Sequence, residues 1–252
     1  MDIKKVILWT GLWASVLSML PAGCSSGVET GTREKGNSVE SYSSEEPQAF
    51  DTRLLVPSIH REKAPEKLEL LMKTTRGDIR LEVRREWAPH GVDRFYNLVL
   101  LGFYEESPFY RVNGTVAQFA YNGNPEVDQV WKDAFIPDDP DLPDVNNLKG
   151  YLTFAQDGPG RRSTQLFFNL KNNDFLDGKG FPPIGRITEG IEVLDSLYDG
   201  YGEGRPVGEG PLYKLIYTQG NSYLKRDFPL LDYIQGIEIL EQGEGPSAGR
   251  QD

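Results

Sequence analysis

Between Leu68 and Val83 the chain alternates apolar and polar side chains twice, on either side of one glycine-bearing turn. Leu68, Leu70 and Met72 alternate with Glu69, Leu71 and Lys73. After Thr75-Arg76-Gly77-Asp78 the run Ile79, Leu81, Val83 repeats the pattern. Successive side chains of a strand point to opposite faces, so each run buries one face, and two such runs around a tight turn form a β-hairpin. A chain that opens its folded part this way must build a sheet with one face on a core. The Arg76-Gly77-Asp78 tripeptide is read as the charged turn of that hairpin rather than as an adhesion motif.

The same signature recurs in shorter pieces. Phe109 to Val112, Val116 to Ala120, Tyr151 to Ala155, Gln165 to Leu170 and Ile184 to Thr188 read as strands, with Tyr213 to Tyr217 and Tyr233 to Leu240 as late ones. Helical spacing stands out twice. Pro89 opens a run in which Val92, Phe95 and Val99 share a face, ended by Gly102, and a short second helix carries Ile191, Leu194 and Leu197. Many short strands, two helices and loops rich in Gly and Pro predict a mainly β fold, a closed barrel capped by helices. The 252 residues hold one such domain with extensions.

Composition removes several functions. The chain carries 38 Asp+Glu against 27 Lys+Arg, a net charge of −11, so no nucleic-acid partner is expected, because phosphate binding needs a basic face. One Cys and two His, His60 and His90, exclude a disulfide framework and a Cys or His metal cluster. Neither His lies in a nucleophile motif. Asp138-Asp139-Pro140-Asp141 with Asp144 lacks the spaced ligands of a calcium loop and reads as a solvated acidic loop. Gly200-Tyr201-Gly202-Glu203-Gly204 has no following Lys-Ser/Thr and no strand-to-helix placement, and is not read as a phosphate loop. Asn113-Gly114-Thr115 is a glycosylation sequon that matters only in a host that glycosylates.

Residues 1–23 read as an export signal, with Lys4 and Lys5 ahead of an apolar run from Val6 to Leu20, too short to span a bilayer comfortably. Leu20-Pro21-Ala22-Gly23-Cys24-Ser25-Ser26 resembles the bacterial lipobox, with Pro21 where Leu is usual. The resemblance implies cleavage before Cys24 and its acylation, and two acyl signals are what stable membrane attachment needs. An ordinary secretory signal or an uncleaved anchor are the alternatives. Residues 24–66 then form a Ser- and Glu-rich disordered tether, with one apolar patch at Leu54-Leu55-Val56. Residues 67–240 are the domain and 241–252 a disordered tail.

Three ordered segments carry a family resemblance. They are Ser107-Pro108-Phe109-Tyr110-Arg111-Val112 leading to Val116-Ala117-Gln118-Phe119 and Asn122-Gly123-Asn124-Pro125; Gly150-Tyr151-Leu152-Thr153-Phe154-Ala155 with Ser163-Thr164-Gln165-Leu166-Phe167-Phe168; and Phe175-Leu176-Asp177-Gly178-Lys179 with Ile184-Gly185-Arg186. Together they resemble a cyclophilin-type peptidyl-prolyl isomerase of the bacterial branch. That resemblance implies a closed eight-stranded antiparallel barrel capped by two α-helices and no metal or cofactor. It implies rotation of Xaa-Pro bonds in unfolded or extended polypeptides, by a monomer. Rotation is slow because amide resonance sets a barrier of about 18–20 kcal/mol. Twisting localises a lone pair on the prolyl nitrogen, so a fixed donor there favours the transition state over the planar ground state.

By the same resemblance Arg111 is the catalytic donor and Gln118 holds substrate and orients it. Phe167 and Leu176 wall an apolar proline pocket, core packing being the other reading of Phe167. Val116, Ala155, Gln156 and Gln165 line the groove, Gln156 through its backbone. The sequence departs from the family at Thr115, where a ring is usual on the pocket floor, in a loop one residue short. Phe175 replaces a Trp that in many members contacts cyclosporin, so weak binding of that drug is expected, and the pocket His around Gly180-Phe181-Pro182-Pro183 is missing. A lost ring costs roughly 1–3 kcal/mol, which is one to two orders of magnitude in rate. A proline-peptide-binding chaperone or an envelope scaffold without turnover are the competing functions.

Overall fold

The structure, a computed structural model, describes residues 51–243. The expected signal, Cys24, the first part of the tether and residues 244–252 of the tail lie outside the described residues. Among the described residues nine strands are present: β1 Lys67–Thr74, β2 Gly77–Arg84, β3 Ser107–Pro108, β4 Arg111–Val112, β5 Val116–Phe119, β6 Tyr151–Phe154, β7 Leu166–Asn169, β8 Pro183–Glu189 and β9 Tyr233–Gly243. Among the described residues four α-helices accompany them, α1 Pro89–Leu100, α2 Pro125–Trp131, α3 Glu192–Ser196 and α4 Tyr213–Asp227, with short 3-10 turns at Thr52–Leu55, Pro57–Ile59 and Asp174–Leu176.

The hairpin forms in the expected register, with Leu70 opposite Leu81 and Thr74 opposite Gly77. Thr74 Oγ1 donates to Gly77 O at 2.7 Å, closing the turn. The turn's Arg76 is held by the buried Asp232, with Nε donating to Oδ1 at 2.7 Å, so the tripeptide is built into the sheet.

The strands form one antiparallel sheet in the order β3-β9-β1-β2-β8-β6-β7-β5-β4. This corrects the expected closed eight-stranded barrel: the sheet is a curled nine-stranded half-barrel whose terminal strands do not pair with each other. The reason lies in Phe109 and Tyr110. They break one extended run into two short strands, β3 pairing with β9 and β4 with β5. Phe109 N still bonds Asp232 O at 2.8 Å, whereas the next side chain, Tyr110, is buried in a second apolar cluster with residues of α4.

The main core lies on one face of the sheet and takes in Leu70, Leu81, Phe95 of α1, Phe119, Phe154 and Phe168. Pro89 starts α1 at the position where a missing N–H costs nothing. The helix is capped from a distance, because Asp139 accepts from His90 N and Gly91 N, each at 2.8 Å. Asp139 is also paired with Arg162 at 3.0 Å, both side chains buried. The stretch read as a solvated acidic loop is therefore in part a buried structural element.

Other segments also depart from their sequence reading, and β9 runs on to Gly243, so residues 241–243, expected in the tail, are strand paired with β1. Tyr213 to Tyr217, expected as a strand, is the first turn and more of α4, which buries Ile216, Tyr223 and Leu224 against Tyr110 and Tyr121. Ile216 lies on the first helical stretch of α4 and Tyr223 and Leu224 on the second, and all three join that cluster. At Gly220 (φ 56, ψ −142) the helix kinks, and Asn221 N donates to Gly123 O at 2.9 Å, docking α4 beside α2. Residues 51–66, assigned from sequence to the tether, run along the domain: Leu54 is 2% exposed, its carbonyl accepts from Trp131 Nε1 at 2.7 Å, and Ala64 N bonds Asp93 at 2.9 Å.

Candidate active site

Strand register decides which side chains meet. Arg111 faces Gln118 across β4 and β5, Gln118 faces Phe167 across β5 and β7, and Phe167 faces Thr153 across β7 and β6. Directly opposed residues of antiparallel strands project to the same side. The neighbouring row, Val112, Ala117, Phe168 and Leu152, belongs to the core, so the Arg111 row must occupy the opposite face. Residues two further along each strand, Val116 on β5 and Gln165 beside β7, share that face by the same alternation. Ala155 N extends the ladder to Gln165 O at 2.9 Å.

Arg111 is the polar centre of this strip. Its Nη1 donates to Gln118 Oε1 at 2.9 Å, and its Nε and Nη2 donate to the two carboxylate oxygens of Glu203 at 2.7 and 2.8 Å. A guanidinium has five N–H groups, so one remains free on each terminal nitrogen. Burial works against the charge on Arg111, but the hydrogen bonds and charge of Glu203 outweigh it and hold the guanidinium protonated beyond its ordinary range. Burial likewise raises the Glu203 carboxyl, and donation from Arg111 and Asn113 together with the Arg111 charge more than reverses this, leaving it below the usual carboxylate range.

The apolar members lie beside it. Phe167 and Val116 are 5% and 6% exposed yet lie outside both apolar core clusters, so their burial is local to this face. Thr115 and Leu176 are half-buried, and Phe175, 50% exposed, projects outward. Thr115 and Leu176 are brought together by the buried Asn173, whose Nδ2 donates to Thr115 O at 3.1 Å and whose carbonyl accepts Leu176 N at 2.8 Å. Sequence reasoning missed this support. Asn173 also donates to Asn169 at 2.7 Å. Thr153 donates to Asn147 at 2.9 Å, and Asn147 donates in turn to Asp177 at 2.9 Å. Asparagines scattered over 27 positions carry no local signal of this network.

Two residues expected from sequence to line the groove are tied up internally. Gln165 accepts from Tyr110 Oη at 2.7 Å and donates to Ala120 O at 2.8 Å. Gln156 donates to Gly180 O at 2.6 Å, and its buried Oε1 has no partner. A separate open cavity of about 640 Å³ is lined by residues including His60, His90, Asp93 and Arg94, and by none of the strip.

The curled antiparallel sheet thus sets an arginine, a glutamine and a phenylalanine side by side on the face opposite the core. Comparison with known proteins shows the family to which such a chain belongs. The family described as cyclophilin type peptidyl-prolyl cis-trans isomerase/CLD matches residues 69–214. Peptidyl-prolyl cis-trans isomerase-like 3 of Gibberella zeae is 30% identical over 141 residues, 52% of this chain and 83% of that protein. Peptidyl-prolyl cis-trans isomerase A of Dickeya dadantii is 30% identical over 135 residues, 51% of this chain and 70% of that one. The isomerase-like 2 protein of Gibberella zeae, 31% identical over 132 residues, is matched over only 22% of its length. A crystal structure of a Cryptosporidium parvum cyclophilin type isomerase superposes with a TM-score of 0.52 at 17% identity, covering 70% of this chain and 99% of that one. The chain belongs to the cyclophilin-type peptidyl-prolyl cis-trans isomerase family.

Proposed function

We propose that this chain accelerates cis/trans rotation of Xaa-Pro bonds in exported polypeptides and so assists their folding. The observation that carries the reading is the Arg111, Gln118, Phe167 row, with one N–H free on each terminal nitrogen of the guanidinium. In this mechanism Phe167, Val116 and Leu176 hold the proline ring by burial. Gln118 orients Arg111, and a free N–H of Arg111 donates to the prolyl nitrogen as its lone pair localises. No bond is made or broken, and no proton is transferred. Removing one such preorganised donor typically costs about 10²–10³ in rate. Arg111→Ala should therefore slow a proline-limited refolding reaction by that factor relative to wild type. No acceleration by wild-type protein, or an unchanged rate in Arg111→Ala, would show the reading to be wrong.

Thr115 favours a second reading, a proline-peptide-binding module with weak turnover, since a threonine supplies no ring to the pocket. Line-shape analysis of a proline peptide separates the two, because a pure binder shifts resonances without speeding exchange. We place the chain in the bacterial branch because of the Gly180-Phe181-Pro182-Pro183 segment without a pocket His. We also propose export and anchoring through acylated Cys24, supported by the lipobox-like Leu20 to Ser26. Cys24→Ala should shift the protein from the membrane to the soluble fraction of the expressing cell.

A further inference from the structure

The glycine-rich stretch that fails as a phosphate loop has a different use. We propose that Glu203 is a positioning residue for Arg111, holding the guanidinium in the plane in which its two free N–H groups meet the substrate; this rests on the isomerase reading above. The carboxylate engages the Nε and Nη2 edge at 2.7 and 2.8 Å, while Gln118 engages Nη1 at 2.9 Å. With Gln118 alone the guanidinium would pivot about one hydrogen bond. Bidentate pairing removes that freedom, since a planar fork meeting a carboxylate has one orientation.

The loop is built for delivery. Gly202 bridges to Val112 at the free edge of β4, one residue from Arg111. Gly210 N donates to Glu203 O at 2.8 Å, clamping the loop on itself. A Cβ at Gly208 or Gly210 would lie 2.4 or 2.7 Å from that same Glu203 carbonyl, so the close turn that aims Glu203 excludes side chains at both positions. Asn113 Nδ2 adds a further donor to Glu203 Oε1. Both ends of the segment are fixed, by Tyr198 N on Asp232 at 2.8 Å and by the packing of α4 on Tyr110. A strap meant to leave the groove would not be bonded to the strand edge, to itself and at both ends. Nor would it take the side edge of the guanidinium and leave the terminal N–H groups open.

The test compares wild type, Glu203→Ala and the isosteric Glu203→Gln in the full chain, by exchange spectroscopy on a proline peptide and by melting. Positioning predicts a fall of about tenfold or more in kcat with KM little changed, because an interaction used only in the transition state is lost. It also predicts that the separate Arg111 Nη–H signals of wild type collapse in the variants, and that Glu203→Ala has no further effect on Arg111→Ala. Unchanged or raised activity, the result expected of an occluding strap, would overturn it. So would a change confined to KM, an equal fall in the Arg111→Ala background, or loss of the folded state in Glu203→Gln. A wild-type protein without isomerase activity overturns the functional reading itself, and this inference with it.

Discussion

Replacing Gly220 by alanine tests how α4 is held against the domain. The residue sits at φ 56, ψ −142, a combination open essentially to glycine. An added Cβ would lie 2.0 Å from Gly123 O and 2.9 Å from Pro125 Cδ. Neither neighbour is the end of a flexible side chain, so the chain itself must move by about an ångström or more to reach ordinary contact. The backbone strain costs roughly 1–3 kcal/mol, and loss of the Asn221 N to Gly123 O bond about 1 kcal/mol more. A total of about 3 kcal/mol lowers Tm by roughly 6–12 °C in a domain of this size. Gly114→Ala is the control. Its φ is +72, but a Cβ there meets nothing within 4 Å, so only the left-handed penalty of about 1–2 kcal/mol applies. Calorimetric melts of the two variants beside wild type supply the numbers. A Gly220→Ala loss no larger than that of Gly114→Ala would mean that the approach of α4 to the Gly123 turn does not constrain the fold, and the reasoning would fail.

Asp128 accepts from Asn122 N and Gly123 N under that same turn, and burial raises its carboxyl to about 7 against those bonds. A folded-state value above the unfolded one means that its contribution is full below about pH 4 and is lost as pH rises to 7. The wild-type stability minus that of Asp128→Asn, from urea melts at several pH values, should fall across that window by a few kcal/mol at most, about 4 by linkage. A flat difference refutes the assignment. Phe167 and Phe168 are neighbours on opposite faces, so Phe167→Ala should cost roughly 2–3 kcal/mol of substrate transition-state binding and, lying outside the main core, less stability than Phe168→Ala. Phe168→Ala should cost about 3–5 kcal/mol of stability; equal melting temperatures would contradict the assignment of faces. Thr115→Phe should restore a pocket wall and raise kcat/KM by about tenfold, read by the same refolding assay, and a fall would place residue 115 away from the proline.

Much of this was legible where chemistry and periodicity coincide locally. The hairpin shows because Leu68 to Met72 and Ile79 to Val83 each bury one face, and α1 shows because Pro89 and Gly102 punctuate a helical stripe. The Arg111 row was legible only through family motifs, since period-two alternation says that Gln118 and Phe167 share a face once paired but not which strands pair. Tyr213-Lys214-Leu215-Ile216-Tyr217 looks like a strand because its aromatic and branched residues favour one, yet its partners Tyr223 and Leu224 lie past a glycine that hides the helical spacing. Glu203 left no trace, because its partner is 92 residues away and its meaning comes from a loop whose glycines resemble many others. Asp139 was hidden for the same reason, its helix N-terminus lying 48 or 49 residues upstream.

The sheet resembles a belt fastened by two links, Phe109 and Tyr110, which join its first and last strands through the chain instead of through a ladder. Arg111 is the next link. The register irregularities between β1 and β9 and between β2 and β8 lie elsewhere around the belt, so the catalytic arginine expected from sequence follows directly on the one place where the two ends of the sheet are joined by chain alone.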